Sequence, residues 1–161
     1  MVKLSSTIKS YIAGFLDGDG CIMFQIVPRR DYRLGYEIRA SIVFYQKTLY
    51  KKHLQWLHQL FEIGYIRDRS DEMTEYTVTG LKPVEEIMKV LLPYVRLKRN
   101  HCEVGLRICD LLKDRADLKR FINAASLVDE FAELNYSKRR THTSKEVITY
   151  LRQHKLYPRN D

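Results

Sequence analysis

Cysteine, proline and glycine are all scarce in this chain, and the scarcity argues against several classes of protein. The 161 residues include 3 cysteines, 4 prolines and 7 glycines. An odd cysteine count without CxxC spacing favours neither a disulfide framework nor a zinc site. We therefore expect Cys21, Cys102 and Cys109 to be small buried hydrophobes in an intracellular, reducing compartment, the cytoplasm or an organelle. Few glycines and prolines beside 45% apolar residues argue against a fibrous or disordered protein.

Long apolar runs are absent as well. No stretch approaches the ~20 apolar residues that a membrane-spanning helix needs. The first residues lack the apolar segment and small-residue cleavage site of a secretory signal. The sequence therefore predicts no membrane partner and no secretion. The length is typical of a single domain with a sizeable core. We expect that domain to span 1–161, with its core at about 7–112 and C-terminal helices at about 117–156.

Acidic residues are too few to balance the basic ones. The chain has 28 Lys and Arg against 20 Asp and Glu, which gives a formal net charge of +8. Such an excess is typical of proteins that bind polyanions such as nucleic acids. A soluble basic protein without a polyanionic partner is the alternative that charge alone leaves open.

Hydrophobic periodicity predicts the element order α-β-β-α-β-β-α, followed by further helices. The predicted helices cover 7–16, 48–62, 83–93, 95–112, 117–134 and 144–156. Thr143 and Glu146 fit a capping box at the start of the last helix. The predicted strands cover 21–28, 36–46, 65–69 and 75–79 and form two hairpins. Hairpins separated by helices indicate an α+β fold with one antiparallel sheet.

The two faces of the first hairpin differ in polarity. Side chains alternate along a strand, so one face collects only apolar residues and should pack on helices. The apolar face consists of Ile22, Phe24, Ile26, Ile38, Ala40, Ile42 and Phe44. The other face mixes amide, guanidinium, carboxylate, hydroxyl and small apolar groups, a set that can read base edges in a major groove. An ordinary solvated sheet face would show the same alternation, and both readings stay open.

Two carboxylates separated by glycine stand at the end of the first predicted helix, in Asp17-Gly18-Asp19-Gly20. Negative charge there is unfavourable because the helix dipole is already negative at its C-terminus. The Asp19 carboxylate and the Gly18 carbonyl are hard oxygen donors suited to Mg²⁺. A plain helix stop and turn is the alternative. A calcium loop is excluded, because Cys21 replaces a ligand and Pro28 occupies the position of the final glutamate.

Residues 12–20, IAGFLDGDG, resemble the LAGLIDADG signature of homing endonucleases. The differences are conservative apolar swaps, such as Ile12 for leucine, and Gly18 in place of alanine. Spacing similar to that of the single-motif, homodimeric branch continues through 45–48, 67–69, 93–98 and 134–138. The resemblance covers the chain from Tyr11 to about Leu151.

The resemblance implies a saddle-shaped, antiparallel four-stranded sheet within the α-β-β-α-β-β-α core. It also implies a homodimer in which two motif helices pack side by side, with Tyr11, Ala13 and Gly14 at the dimer interface. A two-fold dimer reads a pseudo-palindrome, so the expected partner is a long, pseudo-palindromic double-stranded DNA target. RNA binding is left open and is not indicated.

The resemblance assigns catalytic roles to Asp19, Gln46 and Lys98. Asp19 and the Gly18 carbonyl would hold Mg²⁺, Gln46 would orient the attacking water, and Lys98, expected to be exposed, would stabilise the transition state. Phosphate anchoring is the alternative role for Lys98. Asp17 is expected to be structural and to bond backbone amides near the motif. Relatives often have a second basic residue where this chain has Tyr50, and Lys51, Lys52 or solvent are left open as its substitute.

The resemblance places DNA contacts on the mixed sheet face and on one basic loop. Those on the sheet side are Met23, Gln25, Val27, Arg29, Tyr32, Glu37, Arg39, Ser41, Val43, Tyr65, Arg67, Arg69, Glu75 and Thr77. Among them Arg39, Arg67 and Arg69 are expected to bond guanine bidentately. The loop residues Ser137, Lys138, Arg139, Arg140 and Thr141 suit phosphates.

The sequence thus predicts a Mg²⁺-dependent, site-specific homing endonuclease that makes a double-strand break, encoded within an intron or intein. The alternative is a non-cleaving nucleic-acid binder on the same scaffold, either an intron RNA maturase or a DNA-binding regulator. A basic structural or ribosomal protein would explain neither the motif nor the two-faced hairpin. Metal-dependent linearisation of a target plasmid separates the first two.

Overall fold

A computed structural model describes residues 4–114, 117–135 and 142–157. The helices are α1 (Ser6–Asp19), α2 (Lys51–Phe61), α3 (Leu81–Leu91), α4 (Arg99–Leu111), α5 (Leu118–Leu134) and α6 (Ser144–Gln153). The strands are β1 (Gly20–Pro28), β2 (Tyr36–Lys47), β3 (Tyr65–Asp68) and β4 (Met73–Thr79), and a 3₁₀ turn covers Thr48–Tyr50. The strands form a single sheet in the order β1-β2-β4-β3. The predicted α+β fold with one four-stranded sheet is confirmed.

The described residues form two compact units. The first unit lies within Met1–Met23 and Ala40–Cys102, and the second within Phe24–Arg39 and Glu103–Asp161. The single domain expected over 1–161 stays a prediction. In the part of the chain that the structure describes, no helix has both the length and the apolar character to cross a membrane.

Helix α1 runs three residues past its predicted end at Leu16, and β1 follows it without a loop. Ser5 caps its start by accepting a hydrogen bond from the Ile8 amide at 3.3 Å. At the other end the Gly20 amide donates to the Leu16 carbonyl. A Cβ at Gly20 would lie 2.8 Å from both the Cα and the carbonyl oxygen of Leu16. The direct helix-to-strand junction therefore requires glycine at this position.

The core of the first unit lies between its helices and the apolar side of the sheet. Phe44 and Tyr76 stack at its centre, with ring centroids 6.1 Å apart, and Leu54 and Leu57 of α2 are fully buried. The Tyr76 hydroxyl donates to the Ile63 carbonyl at 2.7 Å. Burial raises the pKa of Tyr76. The predicted apolar face of the first hairpin is confirmed, because every one of its residues is buried.

The second unit is built around α5 and α6. Phe131 of α5 is fully buried and meets Phe24 edge to face, with centroids 5.1 Å apart. The predicted capping box of Thr143 and Glu146 is present at the start of α6. Gly35 has a positive φ of 69°, and a Cβ on Gly35 would collide with the Tyr150 ring. This turn of the first hairpin therefore requires glycine.

The cysteine prediction is partly wrong. Cys102 and Cys109 are buried, as expected, whereas Cys21 is half-buried. Burial raises the pKa of the Cys21 thiol, and the charge of Lys98 opposes the rise. Cys21 lies on the mixed face of β1, which packs less completely than the apolar face. The reducing compartment stays a prediction.

Candidate functional site

The Asp17 carboxylate, near the C-terminus of α1, receives three successive backbone amides from a distant segment. Its oxygens accept from the amides of Arg96 at 2.7 Å, Leu97 at 3.2 Å and Lys98 at 2.9 Å. These residues directly precede α4, where negative charge is favourable. Bonds from amides to a carboxylate are stronger than neutral ones and offset the unfavourable position at the end of α1. The prediction that Asp17 bonds backbone amides is confirmed.

The same contact changes the predicted extent of α4. The periodicity predicted a helix from residue 95, whereas α4 begins at Arg99. The amides of 96–98 point to Asp17, and this turn precedes the helix instead of forming part of it. A hydrophobic pattern cannot detect such a partner.

Lys98 is half-buried, and the expectation of an exposed side chain is wrong. Its ammonium Nζ donates to the Asp17 carbonyl at 2.7 Å. That carbonyl belongs to the last turn of α1, where carbonyls lack intrahelical partners and positive charge is favourable. Lys98 is consequently held by both its main chain and its side chain against the end of the motif helix.

Asp19, the last residue of α1, is exposed, and no described residue forms a hydrogen bond or ion pair with its carboxylate. Gly18 is exposed too, with nothing within 4 Å of a Cβ placed on it. Gln46, near the end of β2, is half-buried, and its Oε1 accepts from the Lys47 amide at 3.0 Å. Among the described residues no hydrogen bond joins Gln46 to Asp19 or Lys98. The structure thus joins Asp17 and Lys98 directly and leaves the Asp19 carboxylate open to a ligand.

The oxygen donors of Asp19 and Gly18 fit a magnesium ion whose remaining ligands come from water and the substrate. Within 4–114, 117–135 and 142–157, no group of three or more His, Cys, Asp or Glu residues could hold a metal ion. Asp19 supplies one hard carboxylate, and the Gly18 carbonyl supplies another oxygen donor. Mg²⁺ is commonly bound by one or two carboxylates, with water and substrate phosphates completing its octahedron.

Of the residues considered for the second basic group, Lys51 forms an ion pair that the sequence did not reveal. Tyr50 is exposed, while the Lys51 ammonium donates to Asp68 Oδ2 at 2.7 Å. Thr74 donates to the other oxygen of Asp68 at 2.8 Å. The Lys51 ammonium and the Thr74 hydroxyl lower the pKa of Asp68. Lys52 is exposed and has no ion pair with any described residue, so the substitute for a second basic group stays open.

In the second unit, the mixed face of the first hairpin carries a chain of ion pairs. Arg29 donates to Asp31 from Nε at 2.8 Å and from Nη2 at 2.6 Å, and its Nη1 donates to Glu37 Oε2 at 2.8 Å. Glu37 also accepts from Nε of Arg39 through Oε1. The Arg29 guanidinium stacks over the Tyr32 ring, 4.6 Å from its centroid. Two carboxylates and two guanidinium groups therefore form one network, which we call the Glu37 network.

The second hairpin, in the first unit, carries a similar network. Arg69 donates to Asp71 from Nε at 3.2 Å and from Nη2 at 2.7 Å. Glu75 Oε1 lies 2.8 Å from Arg67 Nη2, and Glu75 Oε2 lies 3.9 Å from Arg69 Nη1. We call this the Glu75 network. The sequence signal for both networks is an aspartate two residues after the arginine that directly follows the first strand of the hairpin.

The structure places the other predicted DNA-contact residues at different depths. Gln25 and Tyr65 are exposed, and Met23, Val27 and Ser41 are half-buried. Val43, Glu75 and Thr77 are buried. Their burial follows from the sheet order, because β4 lies between β2 and β3 and pairs Thr77 with Val43 and with Tyr65. Ser137, Lys138, Arg139, Arg140 and Thr141 lie outside the described residues.

The residues predicted for the dimer interface face different ways. Tyr11 is 54% exposed, and its ring meets Trp56 at 5.9 Å and His53 at 5.5 Å between centroids. Gly14 is exposed, with nothing within 4 Å of a Cβ placed on it. Ala13 is 0% exposed and packs inside its own chain. Of these three residues, Ala13 has no surface to offer a partner, whereas Tyr11 and Gly14 do.

Comparison with known proteins agrees with this geometry. A family model described as LAGLIDADG endonuclease matches residues 12–103, which include α1 from Ile12 onward, the sheet and the Asp17–Lys98 contact. The chain belongs to the LAGLIDADG endonuclease family.

Two curated relatives match most of the chain. It is 35% identical to DNA endonuclease I-CvuI of Chlorella vulgaris over 144 residues, which cover 89% of each chain. It is 34% identical to DNA endonuclease I-CreI of Chlamydomonas reinhardtii over 152 residues, covering 92% of this chain and 91% of the relative.

Solved structures show the same fold. The crystal structure of the homing endonuclease I-CvuI in complex with its target, in the presence of 2 mM Ca, superposes with a TM-score of 0.86 at 34% identity. That match covers 91% of this chain and 94% of the other. The archaeal intron-encoded homing endonuclease I-Vdi141I, complexed with DNA, has a TM-score of 0.82 at 16% identity, covering 94% of this chain and 98% of the other.

Proposed function

We propose that this chain is a site-specific DNA endonuclease that makes a double-strand break in a long, pseudo-palindromic target as a homodimer. The observation that carries the proposal is the end of α1, where Asp17 fixes Lys98 and the Asp19 carboxylate stays unpaired and exposed. Relatives of similar length are named DNA endonucleases. An exposed carboxylate two residues after the carbonyl that holds the Lys98 ammonium suits a phosphodiester that arrives with a divalent cation.

Each functional side chain has a task that its position supports. Asp19 and the Gly18 carbonyl would hold Mg²⁺, which when bound polarises the scissile phosphate and lowers the pKa of an attacking water. Lys98 presents its ammonium from a fixed backbone and balances the negative charge that develops on the phosphate. Gln46 offers an amide donor to orient water. Crystal structures of the relative I-CvuI with DNA were obtained in the presence of Ca and of Mg.

The homodimer is proposed because each chain has one unpaired Asp19 and because apolar side chains are exposed on and near α1. One chain supplies one unpaired Asp19, and a double-strand break needs a site for each strand. Tyr11 on α1 is exposed, Gly14 leaves open space beside the helix, and Leu97 next to Lys98 is exposed as well. A symmetric dimer would bury the same apolar patch on both copies and place the two motif helices together.

The DNA contacts are proposed from the arginine groups of each unit. Arg39 in the second unit and Arg67 in the first are the more exposed arginines of their networks, with side chains 56% and 65% exposed. Arginine donates two parallel hydrogen bonds to guanine O6 and N7. The basic loop at 137–141 is proposed to contact phosphates.

A plasmid library carrying randomised inserts tests the proposal. We expect linear product with millimolar Mg²⁺ and none with EDTA. Sequencing of the cut ends should return one enriched pseudo-palindrome. Asp19→Asn should reduce the rate of linear-product formation by at least about 100-fold, while DNA binding persists. Enriched binding without metal-dependent cutting would instead identify a non-cleaving regulator, and enrichment of no sequence would overturn the proposal.

A further inference from the structure

We propose that Glu37 is a positioning residue that orients Arg39 to read one base pair in each half-site, and that Arg29 and Asp31 support it. The inference rests on the proposed DNA-binding function and deepens it. It changes the expected role of Glu37 from a direct DNA contact to a contact with two arginines.

The two arginines of the Glu37 network differ in how many of their donor groups are already bonded within the chain. Arg29 uses Nε and Nη2 on Asp31 and Nη1 on Glu37, so three of its donor nitrogens have carboxylate partners. Its guanidinium also stacks on Tyr32 at 4.6 Å. Arg29 is therefore committed to its own chain.

Arg39 keeps the donors that reading a base requires. Its recorded bond to Glu37 comes from Nε, and its two Nη groups have no hydrogen-bond partner among the described residues. Its side chain is 56% exposed, against 31% for Arg29 and 17% for Glu37. A guanidinium held at Nε presents its two outer nitrogens as a fork, which matches guanine O6 and N7.

Charge explains why a carboxylate is present on a surface that meets phosphates. An unpaired Glu37 would repel DNA, whereas Glu37 between two guanidinium groups is neutralised within the network. Fixing the arginine before binding also lowers the entropy lost when the base contact forms. The Glu75 network repeats the order Asp–Arg–Glu–Arg in the other hairpin, which indicates a shared use of the arrangement.

The experiment is a binding selection on a pool of 30-bp-scale duplexes (roughly three helical turns, long enough for two half-sites) randomised in sequence, in Ca²⁺ buffer. Wild type, Glu37→Gln, Arg39→Ala and the double variant are compared. Glu86→Gln, which removes the same charge from an exposed residue of α3, is the matched control. Circular dichroism melting checks that each variant is folded.

We expect wild type to prefer guanine at one position per half-site by about 5- to 150-fold, the range for a bidentate contact. Glu37→Gln should reduce that preference about tenfold, Arg39→Ala should abolish it, and Glu37→Gln should add nothing in the Arg39→Ala background. Glu86→Gln should leave it unchanged.

Three outcomes would overturn the proposal. Glu37→Gln could leave every preference intact, or change a preference equally in the Arg39→Ala background, which would indicate that Glu37 contacts a base itself. Glu37→Gln and Glu86→Gln could also strengthen binding to all sequences alike, which would indicate a role in bulk charge. Failure of the wild type to select any sequence would count against the proposed function, not against the role of Glu37 alone.

Discussion

Asp17 and Asp19 have the same side chain and lie two residues apart, yet their surroundings give them opposite roles. Asp17 accepts three backbone amides, and Asp19 is open to solvent. A buried or partly buried carboxylate with such bonds contributes to folding, whereas an unpaired exposed one contributes little. The two positions therefore offer a test in which stability and catalysis respond separately.

Asp17→Asn should lower the free energy of unfolding by about 1–3 kcal/mol, because the amide nitrogen cannot accept and leaves an N–H unpaired. Single-turnover cleavage should slow as well, since the segment that holds Lys98 loosens. Asp19→Asn, the control, should leave the free energy of unfolding, measured by urea denaturation, within about 0.5 kcal/mol of wild type and should abolish cleavage. Equal effects of both changes on stability would contradict the different roles.

Asp68 gives a residue-scale prediction about pH. Its pKa is lowered from 3.8 chiefly by hydrogen bonds from Lys51 and Thr74, so the folded state favours the ionised form. The stabilisation is complete above the unfolded value of 3.8 and is lost as pH falls through the folded pKa. The difference in melting temperature between wild type and Asp68→Asn should thus be constant from pH 7 to 5 and shrink below about pH 3.8.

Lys51→Met provides the second arm of that experiment. It removes the ammonium that lowers the pKa of Asp68. In the Lys51→Met background, the difference in melting temperature caused by Asp68→Asn should therefore be smaller and should depend less on pH. A difference that stays constant down to pH 2 for both variants would show that the ion pair does not contribute to stability.

At the scale of elements, α1 has one side packed inside its unit and one exposed side. Ile12, Ala13 and Leu16 are fully buried, and Tyr11 and Gly14 face outward. The exposed side contains the small residue that a closely packed helix pair requires. In the proposed homodimer this side is the contact between two copies of α1.

Gly14→Leu should leave the fold intact and weaken the dimer. A side chain at Gly14 meets nothing within 4 Å in the single chain, and replacing a helical glycine stabilises a helix by up to about 1 kcal/mol. A second helix approaching Gly14 would clash with leucine. Sedimentation equilibrium should therefore show at least about tenfold weaker association for Gly14→Leu, with secondary structure unchanged.

Glu86→Leu is the matched control, because it adds the same side chain at an exposed position of another helix, α3. It should leave association unchanged. Unaltered association of Gly14→Leu would place the dimer contact on another surface, and a monomeric wild type that still cuts both strands would refute the homodimer.

At the scale of the whole molecule, the net charge of +8 does not act as a uniform positive surface. The Glu37 and Glu75 networks pair several arginines with carboxylates, so these arginines are arranged to recognise bases more than to attract phosphates. General attraction to the DNA backbone then depends on other basic residues. The basic segment 137–141, outside the described residues, is the proposed source of such contacts.

Lys138→Ala should weaken binding to all sequences alike and reduce the slope of log K against log salt by about 0.9, the value for one phosphate contact. Arg39→Ala should change the slope less and relax the preference at one base pair. Fluorescence anisotropy with cognate and unrelated duplexes at several salt concentrations measures both quantities. Equal effects of the two variants on specificity would contradict this division.

Much of the fold could be predicted because the patterns that specify it are local. The alternation of Ile22, Phe24 and Ile26 defines a half-buried strand by itself, and Thr143 and Glu146 cap α6 within one turn. The motif in 12–20 likewise located the junction of helix and strand and the exposed Asp19. Such features depend on neighbours within a few positions, which a sequence displays directly.

The partners of the charged side chains were decided only by the tertiary structure. Asp17 bonds amides 79 to 81 residues away, which shortens α4 and half-buries Lys98. The position of β4 between β2 and β3 buries Glu75 and Thr77, whose alternation alone suggested an exposed face. Burial and ion pairing depend on which distant segments meet in space, so the sequence determined the elements and the reactive groups, and the folded chain determined which of those groups stay available.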